Sequence, residues 1–261
     1  MAHTDSFFEG AMDNASGIAT LLDIARHYAA LPKSSRPRTM VFVGTPDHHH
    51  GSAGLNKIRD GYDWSKVAFI VNCEHPSQTL LYIFGGDLMT SNAISARRWY
   101  ANGTDVFRKL VYNTLRDFNV SVYTVPETNA GGSLGSLTSK APAFHIIDHV
   151  IYHTTLDTPD LVPAWGLEDA TRAFLSIIDK ANRMTRREIG AGTPTAGRGR
   201  QQRHSGPPRG KCPACCRADR AYARQCALIR SPASVYTDWP TLDRVVAQVS
   251  AEANQRLAAT A

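Results

Sequence analysis

The chain has 261 residues, 43% of them hydrophobic and 20% charged, which suits the core of one large or two small globular domains. No apolar run reaches the roughly 20 residues that cross a bilayer, and the opening MAHTDSFFEGAMDN shows neither the basic nor the apolar part of a signal peptide. The formal charge of +6 is uneven: residues 190–261 hold 11 Lys/Arg against 4 Asp/Glu, leaving 18 against 19 in residues 1–189. The basic character belongs to the end of the chain. Its Arg-rich run has no interleaved aromatics, so no nucleic-acid partner is expected.

Residues 15–31, ASGIATLLDIARHYAAL, set Ile18, Leu21, Leu22, Ala25 and Tyr28 at helical spacing, and Pro32 ends the helix. TMVFVG (39–44) is a short continuous apolar run, the pattern of a strand buried on both faces. LNKIRDGY (55–62) predicts a short helix, KVAFIVNCE (66–74) a second buried strand and LLYIF (80–84) a third. ARRWYANGTDVFRKLVYNTLRDFN (96–119) supplies helical material, followed by strands at VSVYTV (120–125) and PAFHIIDH (142–149). GLEDATRAFLSIIDKANRM (166–184) closes with a long helix whose Leu167, Ala170, Phe174, Ile177, Ile178 and Ala181 share one face. The expected class for residues 1–189 is α/β, a mostly parallel central sheet with helices on both faces. From about residue 190, Gly, Pro and Arg dominate, which reads as a disordered tail with one helix candidate at LDRVVAQVSAEANQRLAA. Its cysteines, Cys212, Cys215, Cys216 and Cys226, fit no standard zinc spacing, and Cys73 stands alone as a buried thiol.

In sheets of this kind the chemistry gathers at the carboxyl ends of the strands. TMVFVGTP delivers Asp47, His48, His49 and His50, and KVAFIVNC delivers Glu74 and His75. PAFHIID leads to His149 and then to YHTTLDTPD, with His153, Asp157 and Asp160; the latter two read as turn and cap residues. The first residues bring His3 and Asp5, then Asp13 within GAMDNASG. Three consecutive histidines alone suit a solvated loop, and Asp13 alone suits a helix cap. Imidazoles and carboxylates at four strand ends together suit a divalent ion, zinc above all.

AHTDSFFEGAMDNASGIATLLDIAR and YHTTLDTPDLV resemble signature segments of the co-catalytic di-zinc aminopeptidases, family twenty-eight of the metallopeptidases, over about residues 1–185. The resemblance implies two zinc ions, with His3 a ligand of one, His153 of the other, and Asp13 bridging. It places Glu74 where the family has an aspartate ligand, and Asp5 as the carboxylate that orients a ligand. The family's Glu-Glu pair falls on His48, at the general-base position, and His49, at a ligand position that neutral imidazole can fill. His48 is the departure from the pattern, Asp47 is the alternative base, and His50 is expected to face solvent. The implied activity is zinc-dependent exopeptidase hydrolysis of peptide substrates in a secreted or periplasmic setting. The family also has sheet ahead of the first histidine, so the chain is expected to be N-terminally truncated. A catalytically impaired relative or binding module with the same fold is the rival reading, because of His48. Acyl transfer like that of glutaminyl cyclases, which share the fold but use one zinc, is a third.

Overall fold

The computed structural model describes residues 1–147 and 150–192; the expected tail, its cysteines and His149 lie outside the described residues. Three long helices carry most of the core. α1 (Gly17–Ala30) turns Leu21, Ile24 and Tyr28 inward, and α2 (Ala53–Gly61) is shorter, burying Leu55. α3 (Asp105–Asp117) buries Phe107, Val111 and Leu115, followed by the single turn α4 (Gly132–Gly135). α5 (Ala164–Asn182) buries Ala170, Phe174, Ile177 and Ile178, and α6 (Arg186–Ile189) is a short turn behind it. Each long helix repeats its apolar residues every three or four positions, so each has one stripe to hide. The Thr104 hydroxyl accepts from the Phe107 N–H and starts α3 where the chain leaves an extended segment. Tyr28 donates to the Asp179 carboxylate at 2.6 Å and ties α1 to α5.

The strands are short: β1 (Ala2–His3), β2 (Gly44–Thr45), β3 (Ile70–Val71), β4 (Thr79–Phe84), β5 (Asp87–Ile94), β6 (Arg98–Ala101) and β7 (Ala143–Ile147). β1 and β2 pair in parallel, β7 lies between a parallel β3 and an antiparallel β6, and β4 and β5 form an antiparallel hairpin. The Met1 amino group donates to the Val71 carbonyl at 2.7 Å, and the Cys73 N–H donates to the Met1 carbonyl at 2.8 Å. These bonds set β1 beside β3. Side chains of β7 alternate: Phe144 and Ile146 join the core of α1, α3 and α5, while Ala143 packs with Leu55, Leu134 and Leu137 of the other layer. Helices therefore cover both faces, as expected of an α/β chain.

The expected continuous, mostly parallel sheet is met only in pieces, and four segments differ from the sequence reading. Thr39–Phe42 makes no backbone hydrogen bond among the described residues, so the TMVFVG run enters a ladder only at Gly44, where β1 offers a partner. LLYIF is a strand, but an exposed one: Ile83 and Phe84 are 77% and 73% exposed. Gly85 and Gly86, both at positive φ, turn it back into a hairpin, a signal that outweighs run length. Arg98–Ala101 is strand rather than helix, because Asn102, Gly103 (φ +100°) and the Thr104 cap break the helical run before α3. VSVYTV contributes one isolated bridge, Val122 with Arg97, rather than a strand.

Candidate metal centre

Asp13 is the hub of the site. It lies in an irregular helical turn, Ala11–Ser16, whose non-helical φ/ψ at Asp13 and Asn14 swing the carboxylate out of the helix and leave it buried. Two neighbours fix that geometry. The Asp157 carboxylate accepts from the Met12 and Asp13 N–H groups at 2.5 and 3.0 Å, so it caps this turn. The Asn14 amide donates to the carbonyls of His3 and Cys73 at 3.3 and 3.2 Å and accepts from the His75 N–H at 3.2 Å. One side chain thereby pins the ends of β1 and β3. Gly17 must be glycine, because a Cβ there would strike the Cys73 carbonyl and the Asn14 side chain.

Each oxygen of Asp13 faces a pair of imidazoles. Oδ1 lies 3.0 Å from His3 Nε2 and 2.8 Å from His75 Nε2. Oδ2 lies 3.5 Å from His49 Nε2 and 3.2 Å from His153 Nε2. Donors that share one tetrahedral zinc stand about 3.4 Å apart, the edge set by bonds of ~2.1 Å. His3, Asp13 and His75 form one donor set, Asp13, His49 and His153 a second, and His3, His48 and Glu74 a third that overlaps the first. His3 Nε2, His49 Nε2, His153 Nε2 and Asp13 Oδ2 are sealed from water without a hydrogen bond. Each such atom would cost about 1–3 kcal/mol if left unpaired, and ions held within the donor sets satisfy them. The residues present thus fit a metal, and their nitrogen–oxygen mixture fits zinc.

The charges agree. Burial alone would raise the Asp13 carboxyl, yet His153, His3 and His75 hold it well below the usual carboxylate range. Burial would push the His3 imidazole down, but Asp13 and Asp5 hold it up at about 10, so a metal must displace a proton there. Burial keeps the His49 imidazole neutral, with its pKa pushed down to about 4, ready to donate a lone pair.

Asp5 holds the site together through both ends. Its carbonyl meets His3 Nδ1 at 2.9 Å, while its carboxylate accepts from the His48 and His49 N–H groups, both at 2.9 Å. The three-histidine turn is thereby fastened over β1, with His48 stacked on His3 at 4.2 Å and His50 exposed. His48 Nδ1 is 2.7 Å from the Ser133 hydroxyl on α4, and its Nε2 faces Glu74 at 3.9 Å. Glu74 is buried under Gly132, where a Cβ would come within 2.7 Å of its carboxylate, and Asn72 donates to it at 2.6 Å. Burial would raise the Glu74 carboxyl, but His75, His3 and His145 hold it below the ordinary range. Its Oε1 lies 4.0 Å from His3 Nε2 of the first donor set. Asp47 is turned to the start of α2, 3.4 Å from the Ala53 N–H, and belongs to none of the donor sets among the described residues.

Of the residues expected from the sequence, His3, His49 and His153 surround Asp13, and Glu74 and His48 join His3 in the overlapping set. Sequence reasoning left His75 without a role. It follows Glu74 at the end of β3, and a left-handed residue (φ +48°) turns its ring back onto Asp13. Ser133 carried no signal, since only the fold brings α4 to His48.

The fold and the donor sets define the class, an α/β domain with a metallopeptidase-like site. The chain belongs to peptidase family M28, whose family model matches residues 1–178. Its fold is similar to that of nicastrin, a gamma-secretase component, at 16% identity and a TM-score of 0.54, covering 70% of this chain and 39% of that one. It is also similar to BSAP, a zinc aminopeptidase from Bacillus subtilis, at 16% identity and a TM-score of 0.53, covering 72% of this chain and 47% of that one. At these identities the likeness is one of fold. This chain spans less than half the length of either protein. No curated protein matches it.

Proposed function

We propose that the chain is a zinc-dependent exopeptidase of the aminopeptidase type, holding two zinc ions and acting on peptides. The observation that carries this reading is the placement of Asp13, whose two oxygens each face their own pair of imidazoles. His3 and His75, with Glu74 at the margin, would hold one ion, and His49 and His153 the other. Zinc supplies Lewis-acid polarisation of the peptide carbonyl and a nucleophilic water at neutral pH. A one-zinc acyltransferase does not need the second pair of imidazoles.

The chain's own part is proton handling. Burial, and His3 beside it, lower the His48 pKa and keep the ring neutral. The tautomer that donates Nδ1–H to Ser133 leaves the Nε2 lone pair free on the side of Glu74. His48 then accepts a proton at Nε2, and the Glu74 carboxylate 3.9 Å away stabilises the resulting cation. The same position supports the second reading, a family member that binds peptide without turning it over, because imidazole replaces the carboxylate that the family pattern has there.

Hydrolysis of leucine p-nitroanilide by the zinc-loaded chain separates the two. The exopeptidase reading expects weak turnover that Asp13→Ala abolishes and His48→Ala lowers by ~10²–10⁴-fold, the usual worth of general-base catalysis. Asp47→Ala should change little. No turnover from the wild type or from His48→Glu, with two zinc ions bound, would defeat the exopeptidase reading and favour the binding one.

A further inference from the structure

Behind Glu74 stand two fully buried polar side chains, Asn72 and His145, that hold no place in the donor sets among the described residues. The fold lines them up. β7 lies between β3 and β6, with Tyr100 of β6 opposite His145 and the Asn72 N–H donating to the Phe144 carbonyl at 3.1 Å. Tyr100, His145 and Asn72 therefore form a row of side chains across the ends of three adjacent strands. Glu74 follows Asn72 by two residues, on the same side of an extended chain.

Asn72 Nδ2 lies 2.6 Å from Glu74 Oε2 and 3.4 Å from His145 Nδ1. An amide nitrogen carries two hydrogens and a carboxylate only accepts, so one hydrogen goes to Glu74. The other goes to His145, whose Nδ1 then holds the lone pair and whose proton sits on Nε2. Burial keeps that imidazole neutral, so the lone pair is available. Turning the amide over would set its oxygen against Glu74 Oε2, and the orientation is thereby fixed from both sides. The other carboxylate oxygen, Oε1, faces His3 Nε2 at 4.0 Å and His48 Nε2 at 3.9 Å. Gly132 closes the remaining side, since a Cβ there would meet Oε1 at 2.7 Å. Stability alone does not explain this row. Asn72 Oδ1 and His145 Nε2 are buried without a hydrogen bond among the described residues, a cost that an apolar pair of the same shape would avoid.

Resting on the reading of two zinc ions held around Asp13, we propose that Asn72 and His145 are positioning residues for Glu74. His145 locks the Asn72 amide, and Asn72 holds Oε2 so that Oε1 is presented to the ion that His3 serves. A carboxylate free to rotate would have to be ordered when the ion binds, and the row removes that requirement. Groups that orient a ligand from behind are worth about 10–100-fold in metal affinity.

Zinc affinity of the full chain, measured by competition with a chromophoric chelator, tests this, with urea midpoints showing that each variant is folded. Asn72→Leu should weaken the binding of one zinc ion about 10–100-fold. In a Glu74→Ala background the same substitution should change the affinity less than about twofold, because the group it acts through is gone. His145→Leu should weaken zinc about tenfold. His145→Asn, whose Oδ1 falls where Nδ1 stood, should restore the affinity. An unchanged affinity in Asn72→Leu, an equal loss with and without Glu74, or equal affinities of His145→Leu and His145→Asn would each overturn the proposal while the wild type still holds its zinc. A wild type that holds no more zinc than Asp13→Ala would defeat the two-zinc reading itself, and the proposal with it.

Discussion

Burial pushes the His145 imidazole, on β7, down to about 4, and its Nε2 has no hydrogen-bond partner. In the unfolded chain the same group takes a proton near pH 6.5. As pH falls from 6.5 toward 4 the unfolded state therefore binds the proton first. The contribution of His145 is intact above pH 6.5, is lost through that window and does not fall further below it. The slope is about 1 kcal/mol per pH unit, and about 3 kcal/mol over the whole window. Urea unfolding of the metal-free chain at pH 7, 6 and 5 should show this loss, and His145→Gln should flatten the curve by a similar amount. An unchanged slope in the variant would show that His145 is not the group responsible. At this scale the sequence was informative where chemistry stands at a strand end: His3, Asp13, His49 and His153 were legible from residue type and motif. His75 and Ser133 were not. The first depends on one left-handed backbone angle and the second on a contact between residues 85 positions apart.

Among the elements, α5 is the one the rest of the core depends on. Phe174 is fully buried and meets Phe144 of β7 edge-on at 5.3 Å, so it joins the long helices to the sheet. Phe174→Ala should cost about 3–5 kcal/mol, seen as a lower urea midpoint at unchanged m-value. A loss below about 1 kcal/mol would mean that the contact is not part of the folded core. Helices α1, α2 and α5 were readable because an amphipathic stripe is a local property. Strands were readable as apolar runs but not as a sheet. Whether TMVFVG pairs depends on a neighbour elsewhere in the chain, and LLYIF became a hairpin because of the two glycines after it. The Arg98–Ala101 strand was hidden for the converse reason, since its pairing with β7 supplies what its local pattern lacks.

For the molecule as a whole, the two layers of helices bring β1, β2 and β3 to one edge where Asp13 collects its four imidazoles. Metal binding should then stabilise the fold, because the donors come from segments as far apart as His3 and His153 and converge only when the chain is folded. None of the described helices is long and apolar enough to cross a membrane. The proposed bridging of two ions by Asp13 is tested by the zinc content of the full chain and of Asp13→Ala, each stripped with chelator, reloaded, gel-filtered and measured by mass spectrometry of the metal. Taking the difference between the two proteins cancels any zinc held by the cysteines near the end of the chain. The wild type should retain two more zinc ions per chain than the variant; equal zinc contents would show that Asp13 does not lie between two ions.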